Sequence, residues 1–319
     1  MFVRRGTAST WSCAAGTPFS SMAFDAHGNG FLYGPDLTIT HNGGSTWVRS
    51  PASGIVAAVI ATSRLLWMVT IECASSHVTS NGCPLLLQYS KNGGRSWLAD
   101  TALPSSLPIG YPSLRALSLR MGVDGRLELM TAPQIGATNG AALLWQSSRR
   151  GKGWLRHEVP CGFTPSAVAL AIGPAGELLA GCGSQPGAGQ QLKSILVSTN
   201  DGMTWRSASH CRLSPAPSRS CLDSPLSDGY LGEVAAPTSS RFFLVGSRSP
   251  LLVSTDGGKS WVPSPSVAAN SSGGTVQVRF VNPEVGFVIG SDVRLGEDPV
   301  IWRTHNGGDS WNVVVPRLF

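Results

Sequence analysis

Ser254-Thr-Asp-Gly-Gly-Lys-Ser-Trp261 is the phrase on which the reading of this chain turns. A hydroxyl opens it, an acid stands third, two glycines follow, and Ser-Trp closes it. Adjacent glycines tolerate the positive φ of a tight hairpin, and a short acid flanked by hydroxyls can hydrogen-bond the turn's own backbone. The phrase predicts a β-hairpin whose second strand is anchored by a large ring, Trp261, buried for a structural purpose.

The phrase recurs as THNGGSTW with Thr40, Asn42, Gly44 and Trp47; as SKNGGRSW with Ser90, Asn92, Gly94 and Trp97; as STNDGMTW with Ser198, Asn200, Gly202 and Trp205; and as THNGGDSW with Thr304, Asn306, Gly308 and Trp311. The first copy quoted supplies Ser254, Asp256, Gly258 and Trp261 at the same places. A degenerate copy, SSRRGKGW, ends on Trp154, and Ser9-Thr10-Trp11 resembles the tail of one more. Tryptophans 11, 47, 97, 154, 205, 261 and 311 are separated by 36, 50, 57, 51, 56 and 50 residues. That period suits four strands plus their loops. Between them recurs an apolar strand, a turn and a second apolar strand, as in Val168–Gly181 and Val278–Gly290. Each block reads strand A, turn, strand B, loop, strand C, glycine turn, strand D.

The fold class expected is therefore all-β: a β-propeller of four-stranded antiparallel blades, six complete blades plus a partial N-terminal blade, forming one domain over 1–319. Its blades fall at about 14–50, 51–100, 101–158, 159–208, 209–264 and 265–319, after a partial blade at 1–13. The opening MFVRRGTASTWSCAAG has no apolar stretch after its arginines and does not read as a secretory signal. A seven-bladed ring whose true start lies upstream accounts for both the half blade and the missing signal; a six-bladed ring with an extra hairpin is the alternative.

Composition agrees. Charged residues make up 13%, with Gly 38 and Pro 22, which favours short strands and tight turns over helices. The net charge is +6, but the basic residues are scattered singly apart from Arg4-Arg5 and Arg149-Arg150, so no nucleic-acid footprint is expected. No apolar run reaches the roughly 18 to 20 residues of a membrane span. Of seven cysteines, six form sequence-near pairs, Cys73/Cys83, Cys161/Cys182 and Cys211/Cys221. These read as disulfide candidates of an oxidising compartment, with buried thiols as the alternative, and Cys13 is left over. The six histidines show no metal spacing, and no cofactor or metal site is expected. Arginine preference and Ala/Gly/Pro richness suggest a bacterial genome of high GC content.

These phrases resemble the Asp-box, or BNR repeat, of sialidases, xyloglucan hydrolases, sortilin-type receptor ectodomains and photosystem II assembly factors. Asp256 keeps the family's third-position Asp, where Asn42, Asn92, Asn200 and Asn306 replace it. In an up-and-down blade, successive turns alternate between faces, so Asp-boxes and A–B turns share one face. The long insertions 70–84, 99–112, 183–192 and 207–229, with the cysteines, fall on the other. That sorting leaves Asp36, Glu72, Asp100, Asp223, Asp228, Asp292, Glu297 and Asp298 near the loop face, with Glu233 on an innermost strand.

A sialidase-like reading implies Tyr230 with Glu233 as the nucleophile pair and Arg115, Arg241 and Arg279 as carboxylate ligands. Strand alternation sends Tyr230 and Glu233 to opposite sides, against that reading. A xyloglucanase-like reading implies a carboxylate pair drawn from Asp36, Asp228 and Asp292. The reading preferred is a non-catalytic, secreted binding or assembly propeller, a monomer at the cell surface or outside the cell. It would take a protein or carbohydrate ligand on its loop-rich face, the basic charge balance favouring an acidic one; the glycosidase is the alternative.

Overall fold

A computed structural model describes residues 2–4, 11–13, 21–24, 29–34, 36–42, 46–50, 52, 54–62, 65–72, 84–100, 117–122, 124–132, 142–148, 153–208, 225–267, 274–291 and 299–314. The protein is all-β, with six four-stranded antiparallel blades arranged as a β-propeller. Among the described residues the only helical element is a 3₁₀ turn, Pro225–Ser227.

The first two strands, β1 (Phe2–Arg4) and β2 (Trp11–Cys13), pair as a separate antiparallel hairpin. Blade one holds β3 (Ser21–Phe24), β4 (Gly30–Tyr33), β5 (Leu37–Thr40) and β6 (Val48–Arg49); blade two holds β7 (Ile55–Ala61), β8 (Leu66–Ile71), β9 (Leu85–Ser90) and β10 (Leu98–Asp100). Blade three runs β11 (Leu117–Met121), β12 (Leu127–Thr131), β13 (Ala142–Ser147) and β14 (Trp154–Val159). Blade four runs β15 (Ala167–Ile172), β16 (Leu178–Gly183), β17 (Lys193–Ser198) and β18 (Arg206–Ser207). Blade five is β19 (Tyr230–Ala235), β20 (Phe242–Ser247), β21 (Leu252–Ser254) and β22 (Val262–Pro263). Blade six is β23 (Gly274–Phe280), β24 (Gly286–Ser291), β25 (Pro299–Thr304) and β26 (Asn312–Val314). The chain divides into two compact units, the first carrying blades one and two, the second most of blades three to six.

Apolar clusters join successive blades within each unit. In the first, Phe31, Leu37 and Ile39 meet Val56, Val59, Leu66 and Met68. In the second, Ile195 and Leu179 of blade four meet Leu231, Val234 and Phe242 of blade five, and Phe243 and Val245 meet Val278, Val288 and Trp302 of blade six. Second strands are sandwiched between neighbours: β8 and β16 are buried along their whole length. Two-sided burial explains why they read as continuous apolar runs rather than as strict alternation.

The eight-residue phrases close the third and fourth strands. Ser90 Oγ donates to Asn92 Oδ1 (2.8 Å), the same oxygen accepts from Ser96 N (3.0 Å), and Asn92 Nδ2 donates to Ser96 Oγ (2.8 Å). The copies at Asn200 and Asn306 repeat this pattern, and that at Asn42 follows it with Thr40 and Thr46. At Asp256 the polarity of one bond reverses: Ser260 Oγ donates to Oδ2 (2.6 Å). A hydroxyl can donate or accept, so either side chain closes the same turn. The tryptophans anchor unequally: Trp261 and Trp311 are buried, while Trp47, Trp97, Trp154 and Trp205 are half-buried. Gly44 lies outside the described residues.

The fifth-position glycine does more than turn the chain. At Gly258 (φ +87°) an added Cβ would sit 2.6 Å from Ala208 Cβ, at the end of the preceding blade. Gly202 meets Leu144 in the same way, Gly94 meets Ile39 and Gly308 meets Phe243. Each of these hairpins is thus seated against the blade before it. Arginines of preceding blades reinforce the seats: Arg126 pairs with Asp201 (2.8 Å), and Arg241 pairs with Asp309 (2.6 Å) while donating to Gly307 O (3.0 Å).

Candidate functional site

The first strands of blades three to six, β11, β15, β19 and β23, lie side by side. On β19 the register slips between Leu231 and Val234. Both of those residues enter one core cluster, so Gly232 and Glu233 form a bulge and alternation restarts. Tyr230 and Glu233 therefore fall on the same face of the strand, which corrects the expectation that they point apart. Gly232 is the sequence signal for this, since an isolated glycine within a strand marks a bulge.

The bulge aims Glu233 at two guanidinia from other blades. Its Oε1 lies 2.7 Å from Arg279 Nη2 on β23 and 3.9 Å from Arg120 Nη2 on β11, and its Oε2 accepts from Val278 N at 3.4 Å. Glu233 and Arg120 side chains are 18% and 22% exposed, so the pair is partly shielded, while Arg279 at 41% reaches water. Arg120 and Arg279 also donate to the carbonyls of Leu119 and Val278. The cluster is a carboxylate already partnered by two cations.

At the loop end of the same strand stands a second polar assembly, which sequence reasoning missed. Lys193, 2% exposed, points its Nζ at the carbonyl oxygens of Gln191 (3.0 Å), Leu226 (3.0 Å), Asp228 (2.7 Å) and Gly229 (3.0 Å). Burial pushes its ammonium down to about 7, against the attraction of Asp228. Gln191 completes the knot: its Oε1 accepts from Leu231 N (2.6 Å) and its Nε2 donates to Ser184 O (2.7 Å). The loop 184–192 and the segment 225–229 are thereby fixed to one another, with a parallel bridge between Gln190 and Gly229. Beside them Arg248, itself at φ +64°, lays its guanidinium 5.9 Å from the centre of the Tyr230 ring. Three of the four partners of Lys193 lie 33 to 36 residues away in sequence, beyond any local pattern.

The other residues singled out from sequence scatter. Arg241 belongs to the hairpin face, bound to Asp309 and Gly307, at the end of β20 remote from Tyr230. Asp228 contributes its backbone carbonyl to Lys193, and Asp36 pairs with Arg49 (2.8 Å). Arg115, Asp292, Cys73, Cys83, Cys211 and Cys221 lie outside the described residues. Cys161 and Cys182 form a disulfide joining the end of blade three to β16 of blade four. Among the described residues no group of three or more His, Cys, Asp or Glu side chains could hold a metal ion, and no helix is long and apolar enough to cross a membrane.

A buried acid lies in the same blade as Arg120. Glu128 on β12, 2% exposed and opposite Gln146 on β13, is pushed up to about 7 by burial. The hairpin acid Asp256 moves the other way: the Ser260 hydroxyl and neighbouring backbone N–H groups hold it well below the usual carboxylate range.

No known protein family's sequence profile and no curated protein matches this chain. Solved structures do. The chain is similar to YCF48 bound to D1 peptide (16% identity, TM-score 0.57), over 92% of this chain and 82% of that one. It is similar to YCF48 from Cyanidioschyzon merolae (17%, TM-score 0.57; 90% and 80% covered). A polysaccharide lyase of family PL25, an ulvan lyase bound to -[GlcA(1-4)Rha3S]-, is also similar (10%, TM-score 0.54; 90% and 80% covered). At such identities the likeness is one of fold, shared by a peptide-bound protein and a carbohydrate-bound enzyme.

Proposed function

We propose that this protein is a non-catalytic binding propeller of the Asp-box type, secreted or surface-exposed, that holds an acidic protein segment or glycan on its loop-rich face. The observation that carries the reading is the partnering of Glu233. An acid working in glycosidase chemistry must be free to exchange a proton or assist a nucleophile. Here it is bound to Arg279 and, more distantly, Arg120, two cations that already hold this internal carboxylate. The loop face, by contrast, is made rigid by the Lys193 anchor and presents Tyr230 beneath Arg248, an aromatic and a cation suited to contact with a ligand. The net charge of +6 favours anionic partners. The peptide carried by YCF48 supports a peptide ligand for a propeller of this fold.

The test pairs turnover on fluorogenic sialosides and β-glucan oligosaccharides with binding to arrays of acidic peptides and anionic glycans. The expected outcome is no turnover and saturable, salt-sensitive binding that Arg248→Ser weakens. Turnover abolished by Tyr230→Phe or Glu233→Gln would make the protein a glycosidase and end the binding reading.

A further inference from the structure

The outer strands of five blades are two or three residues long, which keeps their edges short. The outer strand of blade three, β14, has six. It stands at the end of its sheet, with Leu155 67% exposed and the side chains of Arg156 and Glu158 55% and 68% exposed.

Its hydrogen-bond phase follows from the hairpin that precedes it. Ser148 N donates to Gly153 O (2.9 Å), so the backbone groups of Leu155 and His157 turn inward to β13 and those of Arg156 and Glu158 turn outward. Sister blades share the phase. The residue three past the tryptophan donates to the third strand at Ser50 to Leu37 (2.9 Å), Ala208 to Ile195 (2.8 Å) and Ser264 to Leu251 (2.8 Å), and here that residue is His157.

We propose that β14 pairs antiparallel with β14 of a second copy of this chain, making a two-fold dimer by edge-to-edge sheet extension. Only residues whose backbone groups point outward can exchange hydrogen bonds, so a symmetric pair can be centred on Arg156, His157 or Glu158. Centring on Arg156 sets arginine against arginine, and centring on Glu158 sets glutamate against glutamate. Centring on His157 sets Arg156 against Glu158 of the second copy, and the reverse, and joins each pair by two backbone hydrogen bonds. The arginine and glutamate within one strand already lie 3.3 Å apart, so the four charges would alternate in sign around the axis. Leu155 would face Val159 of the second copy on the opposite side of the ribbon. One strand pair buries less surface than a permanent interface, so the association is concentration-dependent. This differs from the single-copy expectation and stands independently of the ligand reading.

Sedimentation velocity over a concentration series tests it, with circular dichroism confirming that each variant is folded. The wild type is expected to pass from monomer to dimer as concentration rises. Arg156→Glu and Glu158→Arg, each placing like charges across the axis, should weaken dimerisation roughly tenfold to a hundredfold. An equimolar mixture of the two variants should associate again, because each then faces its opposite, and the double variant Arg156→Glu/Glu158→Arg should dimerise as the wild type does. A monomer throughout the series, dimers indifferent to either reversal, or a mixture that stays monomeric would each overturn the proposal. Should a reversal variant fail to fold, Arg156→Ser supplies the same reading with a smaller expected loss.

Discussion

Gly258 of the fifth blade lies so close to Ala208 of the fourth that a Cβ on the glycine would stand 2.6 Å from that of the alanine. With φ at +87°, the position resists substitution twice, by conformation and by contact. Gly258→Ala is expected to lower stability by about 3 kcal/mol. Gly176→Ala, at φ +86° with nothing within 4 Å, should lose only about 1 kcal/mol. Denaturant midpoints of the two variants separate seating from turning.

Asp256→Asn should be tolerated at neutral pH, because Ser260 can accept from an amide as Thr46, Ser96, Thr204 and Ser310 do. Acid should distinguish the two proteins. The carboxyl is held low in the folded protein, so its contribution is present above the unfolded value near 4 and is lost as pH falls toward the folded one. The wild type should therefore weaken below about pH 4 more than the variant does. Thermal midpoints from neutral pH down to the acid limit of folding measure this.

Glu128 carries the opposite sign. Its folded value of about 7 exceeds the unfolded value, so the folded chain binds the extra proton between about 4.5 and 7 and loses stability as pH rises across that window. Glu128→Gln removes the loss. The variant should equal the wild type near pH 4 and exceed it by about 1 to 3 kcal/mol at pH 8.

Lys193→Met would leave the carbonyls of Gln191, Leu226, Asp228 and Gly229 without their donor. The expected loss is about 3 kcal/mol, accompanied by protease cleavage within 184–192 or 225–229. Intact loops in the variant would show that these segments are held by other means.

Cys161→Ala/Cys182→Ala opens a disulfide spanning 21 residues and should lower stability by about 3 kcal/mol, as should a reducing agent acting on the wild type. A variant insensitive to both would mean that the thiols are not joined in the protein as prepared.

The blades were legible because each carries its own copy of one phrase, and a hairpin is decided by eight consecutive residues. The Cys161–Cys182 pair was legible for a similar reason, being close in sequence on two adjoining blades. The site was not, because its geometry depends on interruptions and distant partners. One extra residue at Gly232-Glu233 reverses the side to which Glu233 points, and period-two reasoning overrode the glycine that signalled it. Arg120 reads as one more scattered arginine until three inner strands are brought together. Lys193 reads as a surface lysine at the mouth of a strand until the backbone of another blade closes over it. Gly94, Gly202, Gly258 and Gly308 do take the positive φ that their turns ask for, but their role in seating one blade on another needed coordinates.

That seating has a direction. In the four places described, the groove that receives a hairpin belongs to the blade made earlier on the ribosome. A blade emerging from the exit tunnel therefore meets a finished mould for its own turn and never has to wait for a later one. Growth of such a chain resembles the laying of overlapping tiles, in which each course fixes the next and an error stays local to the tile that carries it.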